Sequence, residues 1–198
     1  MSVRELRDDL GHSKPLIGVV HLLPLPGSPR YGGSLERVIA RAVQDAQAYE
    51  AAGFDALIVE NYGDAPFVPE RVAPETVAAM TAAVWEIKKR VRLPLGLNVL
   101  RNDARAALGI ACVVDARFIR VNVHSGVMVT DQGILQGRAW ETLRERARLA
   151  PGVRVYADVH VKHGHPLESV GIVGAARETA ERALADALIL TGEATGAQ

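Results

Sequence analysis

The chain has 198 residues, of which 23 are basic, 23 acidic and 48% hydrophobic. That length supports one sizeable core, and the hydrophobic share is too high for disorder. With a formal net charge of zero and no basic run interleaved with aromatics, no field draws the chain to nucleic acid or an anionic membrane.

Residues 1–14 are polar and charged and read as a flexible lead-in. KPLIGVVH then supplies a short buried strand over residues 16–21, and the Pro- and Gly-rich LPLPGSPRYGG that follows is a loop. From Ser34, a plausible N-cap, the residues Leu35, Val38, Ile39, Ala42, Ala46 and Tyr49 repeat every three or four positions, the stripe of an amphipathic helix that Gly53 stops. DALIVE (55–60) is a second strand, and NYGDAPFVPERVAP a second Gly- and Pro-rich loop. A helix follows from Pro74 to about Val91, then a third strand, PLGLNVL (94–100), and a helix capped by Asn102 or Asp103 and running to about Val113. RFIRVNVH (117–124) is the fourth strand and SGVMVTDQGILQG a long loop; a helix over 138–149 leads to the fifth strand at 153–161. A last helix spans 168–183, and ALILTG (187–192) is the sixth strand.

Cys112, the single cysteine, excludes an internal disulfide and suits a reducing compartment. It stands in an apolar helical run and is expected in the core. The N-terminus has no signal-peptide apolar segment, and no apolar run approaches ~18 residues. A cytoplasmic protein without transmembrane segments is expected, with peripheral membrane association left open.

Alternating strands and helices call for parallel pairing through right-handed crossovers, within one domain over residues 15–198. The turn after the first strand lacks the G-x-G-x-x-G of a dinucleotide fold. Polar residues collect instead at the C-terminal ends of strands: His21, Glu60, Asn98, Asn122, Asp158 and Thr191. In a barrel these ends converge on one mouth, where barrel enzymes build their sites. The expected fold is therefore an α/β barrel, although six strands are legible where a closed barrel needs eight.

The stretch RVYADVHVKHGHP (154–166) carries the densest chemistry. On a strand, residues two apart share a face, so Asp158, His160 and Lys162 are expected to point inward together, opposite the alternating apolar residues. The same alternation turns Arg120, Asn122 and His124 of the fourth strand, Asn98 of the third, Glu60 of the second and His21 of the first toward the interior. Buried Arg120 needs a carboxylate, and Glu60 and Asp158 are the candidates. Two readings stay open: a structural ion-pair layer, or a site where Asp158 or Glu60 moves protons while Arg120 or Lys162 holds an anion. The expected catalytic set is Asp158, Glu60, His21 and Lys162; Asn98, Arg120, Asn122, His124, His160 and Asn61 are the expected ligand contacts. His21, Glu60, Asp158 and His160 could offer metal ligands, but none makes a tight H-E-x-x-H type of spacing, and no metal or other cofactor is expected. His163 and His165 read as loop residues. The expected partners are a small-molecule ligand and a second copy of the chain.

Five segments, GVVHLLPLPGSP, AGFDALIVENYGDAPF, PLGLNVLRND, FIRVNVHSG with its TDQGI tail, and ADVHVKHGHPL, resemble the BtpA/SgcQ family in order and across nearly all of residues 15–198. The resemblance implies a TIM-type (β/α)8 barrel of the ribulose-phosphate-binding kind. It also implies a link to photosystem I biogenesis, the role attached to cyanobacterial members; others lie near sugar uptake and metabolism, where an enzyme role is presumed. No settled catalytic residue set comes with it. Family members run on for two further strand–helix units, so a fragment or a shortened variant is expected, without the loops after strands seven and eight where such barrels commonly hold phosphate. Two functions follow: a protein that binds or converts a small polar metabolite of sugar-phosphate or nucleoside type, or an assembly factor acting by protein binding alone.

Overall fold

A computed structural model describes residues 6–192. Six parallel strands form one curled sheet in sequential order: β1 (Ile17–His21), β2 (Ala56–Glu60), β3 (Leu95–Asn98), β4 (Phe118–Val121), β7 (Arg154–Val159) and β9 (Ala187–Leu190). Their sequential order follows from the crossovers α2 (Leu35–Ala51), α3 (Pro74–Lys88), α4 (Ala104–Val114) and α5 (Ala139–Leu149), each returning the chain to the next position in the sheet. Strands β1 and β9 do not pair, so the sheet is a half-barrel with two edges.

Period-two alternation sorts the strand residues between two cores. Val20, Leu57, Val59, Leu95, Leu97, Ile119, Val121 and Val155 face outward and pack under the helices with Val38, Ala42, Met80, Val84, Leu108 and Ile110. Ala56, Ile58, Phe118 and Tyr156 face inward, with Ile17, Val19 and Ile189 beside them. The Phe118 and Tyr156 rings stack with centroids 4.6 Å apart. Gly96 makes this possible, because a Cβ there would lie 2.2 Å from the Phe118 ring. The helix starts follow their caps: Ser34 Oγ accepts from Arg37 N at 3.2 Å, and Asp103 Oδ1 from Ala106 N at 2.9 Å.

Five features differ from the sequence expectations. Part of the lead-in is ordered: α1 (Leu6–Leu10) sets Leu6 and Leu10 against the inward core, and Asp9 accepts from Arg154 Nε (3.0 Å) and Tyr156 Oη (3.2 Å). The supposed long loop after β4 is an antiparallel hairpin, β5 (Val127–Thr130) and β6 (Gly133–Gln136), turning on Asp131 and Gln132. β8 (Gly164–Pro166) joins it, so His165 belongs to a strand of this small sheet. The last helix is short, α6 (Ile172–Arg177) continuing as one π turn (Glu178–Arg182). Cys112 is exposed, because the helical period turns Leu108, Ala111 and Val114 of α4 inward and leaves positions 112 and 113 to solvent. The expectations for residues 1–5 and for the GEATGAQ tail lie largely or wholly outside the described residues.

Candidate active site at the mouth of the half-barrel

The site is organised by one arginine. Arg120, on the inward face of β4, donates from Nε and Nη2 to the two oxygens of Asp158 (2.9 Å each) and from Nη1 to Glu60 Oε1 (3.0 Å). Register brings these groups together: Arg120 pairs with Tyr156, two residues before Asp158, and Glu60 pairs with Asn98 on the strand between. Asn122 Nδ2 donates to Asp158 Oδ2 at 2.9 Å, and Asn98 Nδ2 donates to Asn122 Oδ1 and to the Arg120 carbonyl, both at 3.0 Å. Asn98 Oδ1 is buried without a partner. The Asp158 side chain has no solvent exposure. Burial works against the Arg120 cation, but its hydrogen bonds to Asp158 and the charges of both carboxylates outweigh it and hold the guanidinium above its ordinary value. The Glu60 carboxyl is moved up from 4.5, because desolvation outweighs the charges of Arg120 and His21.

In front of this layer lies a cleft of about 510 Å3. Glu60, Asn98, Arg120 and Asn122 reach its wall, and so do His21 and Lys162. His21 Nε2 stands 3.7 Å from Glu60 Oε2, with its side chain 51% exposed, and its ring stacks on Tyr62 at 4.4 Å. The arrangement presents one carboxyl with a raised proton affinity beside one accessible imidazole, a pair able to pass a proton. Among the described residues no group of three or more His, Cys, Asp or Glu is placed to hold a metal ion.

Several expected site residues lie elsewhere. Asp158 reaches the cleft only through Arg120 and Asn122, and faces a second cavity of about 160 Å3 between the hairpin and α6. His160 lines that second cavity and not the cleft; its φ of 52° ends the strand alternation, so Asp158, His160 and Lys162 do not share one face. His124 is buried with Nε2 3.0 Å from the Ala183 carbonyl and lines neither cavity; burial moves its proton affinity down. Asn61 is a clamp, its Oδ1 accepting from Leu100 N at 2.7 Å and its Nδ2 donating to Asp64 Oδ2 at 3.0 Å. Thr191 lines neither cavity, and its hydroxyl is buried without a partner. Arg120 is bonded to both carboxylates through all three of its nitrogens.

Four cleft residues that escaped the sequence reading are Arg101, Tyr62 and, at the hairpin tip, Asp131 and Gln132. Arg101 stands immediately after the third strand in LNVLRND, where a cation at a strand's C-terminal end was a usable signal. The hairpin tip was hidden inside a segment read as a loop, although Val127, Val129 and Ile134 around DQG carry hairpin patterning.

An arc of parallel strands with helices outside, and polar side chains gathered where the strands end, defines a TIM-type barrel protein. The chain belongs to the BtpA family, which it matches over residues 12–198. It is 55% identical over 182 residues to the photosystem I biogenesis protein BtpA of Synechocystis sp. (strain PCC 6803), covering 92% of this chain and 63% of that protein. An uncharacterized protein of Pyrococcus abyssi is 52% identical over 190 residues, covering 96% of this chain and 72% of the relative. Among solved structures, the 7,8-dihydropteroate synthase of Vibrio fischeri ES114 superposes with a TM-score of 0.57 at 16% identity, over 93% of this chain and 64% of that one, a likeness of fold alone. No described helix is long and apolar enough to cross a membrane.

Proposed function

We propose that the cleft binds and converts a small polar metabolite of sugar-phosphate or nucleoside type, by acid–base chemistry at the Glu60–His21 pair. The observation that carries this reading is the contact of exposed His21 with a buried carboxyl whose proton affinity burial has raised. Arg120 fixes the Glu60 carboxyl through Oε1 and leaves Oε2 toward His21. Asp158 holds Arg120 in turn and Asn122 holds Asp158, so their work is positioning. Desolvation lets Glu60 keep or take a proton closer to neutrality, and the imidazole supplies the second proton site at the solvent side.

The test is a thermal-shift and turnover screen of sugar phosphates and nucleosides against the protein and its His21→Ala and Glu60→Gln variants. A converted ligand whose turnover falls roughly 100-fold in each variant is expected. Conversion at the parental rate by both variants would sink the proposal.

A second reading rests on the relative from Synechocystis, whose name attaches it to photosystem I biogenesis. In that reading the half-barrel acts as a binding body for protein partners. Loss of photosystem I accumulation in a cyanobacterium carrying the His21→Ala cleft variant would join the two readings; unchanged accumulation would separate them.

A further inference from the structure

Among the described residues, Arg101 is the one strongly buried cation of the cleft without a carboxylate of its own. The residue is 7% exposed, and it stands on the wall of the cleft. Its Nη2 donates to the Lys162 carbonyl at 2.7 Å, while Nε is buried without a partner. No carboxylate lies within salt-bridge distance among the described residues; Asp131, Asp158 and Glu60 favour its charge only from farther away, and burial outweighs them, moving its proton affinity down. A buried guanidinium left in this state costs free energy that a folded chain ordinarily removes by pairing. Lys162 lines the same cleft, and its ammonium makes no hydrogen bond or ion pair among the described residues. The contrast with Arg120 is sharp: there all three nitrogens meet carboxylate oxygens, whereas Arg101 meets one backbone carbonyl and shares the cleft wall with an ammonium.

We propose that Arg101 and Lys162 form an oxyanion subsite that takes the phosphate or carboxylate group of the ligand. This rests on the metabolite reading of the cleft and places the anionic end of the ligand on the third and fifth strand ends, with the reacting end at Glu60 and His21. A guanidinium fork suits the planar spread of two oxyanion oxygens, and the lysine adds a point charge. Asp131, at the exposed hairpin turn on the same cleft, competes for the field of Arg101 in the empty site.

The probes are inorganic phosphate and malonate, titrated calorimetrically at constant ionic strength against the protein and its Arg101→Met, Lys162→Met and Asp131→Asn variants. Arg148→Ala, on the outer surface of α5 and 61% exposed at its side chain, is the control. Expected are saturable binding of at least one oxyanion, weakening by about 10- to 100-fold in Arg101→Met and by a smaller factor in Lys162→Met, tightening in Asp131→Asn, and no change in Arg148→Ala. The tighter of the two probes names the group. Should Arg101→Met unfold, Lys162→Met carries the test, because its ammonium holds nothing in the structure. Binding of neither probe, or equal binding by the parent and both cation variants, overturns the subsite. A neutral metabolite bound equally by the parent and Arg101→Met would leave the metabolite reading standing and remove the subsite. Oxyanion binding through Arg101 without turnover of any metabolite would do the reverse.

Discussion

Glu60 and Asp158 both meet Arg120, yet burial and partners give them different tasks. Asp158 accepts three hydrogen bonds, two from Arg120 and one from Asn122, and is wholly enclosed. Asp158→Asn takes away the charge that faces the guanidinium at closest range and puts an amide donor against it. We expect a loss of about 3–5 kcal/mol, read by urea denaturation, as for one partner removed from a buried pair; a change below about 1 kcal/mol would show that Glu60 alone suffices for Arg120. Glu60 behaves otherwise, because its folded-state proton affinity is raised above the ordinary value of 4.5. Between those two values the folded state holds more protons than the unfolded chain, so the Glu60 contribution is full below pH 4.5 and is lost as pH rises through the folded value. Glu60→Gln removes that loss. Its stability relative to the parent should therefore climb from acid to neutral pH, as followed by denaturation at a series of pH values. A relative stability that drops with rising pH would mean that Arg120 stabilises the ionised carboxylate more than burial penalises it.

At the scale of the element, the strands are short and their ends are tied to one another. Asn102 of the loop after β3 donates to the Val123 carbonyl and accepts from Val123 N, both at 2.9 Å, while Asn61 of the loop after β2 makes the equivalent clasp on Leu100. Each loop thus holds its neighbour, and the side chains at the mouth are positioned by backbone instead of by long flexible stems. Below them the inward layer depends on Gly96. Gly96→Ala would push a Cβ into the Phe118 ring, which is stacked on Tyr156 and cannot withdraw freely. A cost of about 1–3 kcal/mol is expected for such overpacking. Combining it with Phe118→Leu should recover part of that loss in a double-mutant cycle; strictly additive losses would place the strain elsewhere.

For the whole molecule, the half-barrel has a protected middle and two open sides. β2 and β3 are buried along their whole length, whereas β9 alternates between half-buried and exposed residues, with Leu190 65% exposed. Amide hydrogen exchange within the parallel sheet should therefore be slowest in β2, β3 and β4 and fastest in β9. Exchange in β9 as slow as in β3 would mean that this edge is covered in solution. The opposite end of the half-barrel is closed by α1, whose Leu10 is 5% exposed against Ala56, Ile58 and Phe118.

The six strands, the main crossover helices, the Ser34 cap, the Asn102-or-Asp103 position of a second cap and the division into inward and outward faces were all legible in the sequence. Each depends on neighbours two, three or four residues away, and such short-range periodicity is written directly in the order of residues. The inward set His21, Glu60, Asn98, Arg120 and Asn122 came from the same rule. The rule stopped where a strand stopped: His160, left-handed at the end of β7, turns to a different cavity, and Lys162 returns to the cleft by a path that no alternation describes. Tertiary structure alone decided which carboxylate is fully enclosed and which reaches the cleft wall, because that depends on the register between residues 38 and 60 positions apart. It also decided that Arg101, and not Arg120, is the cation without a carboxylate partner among the described residues, since a charge is paired or unpaired only by what the fold brings within hydrogen-bonding distance.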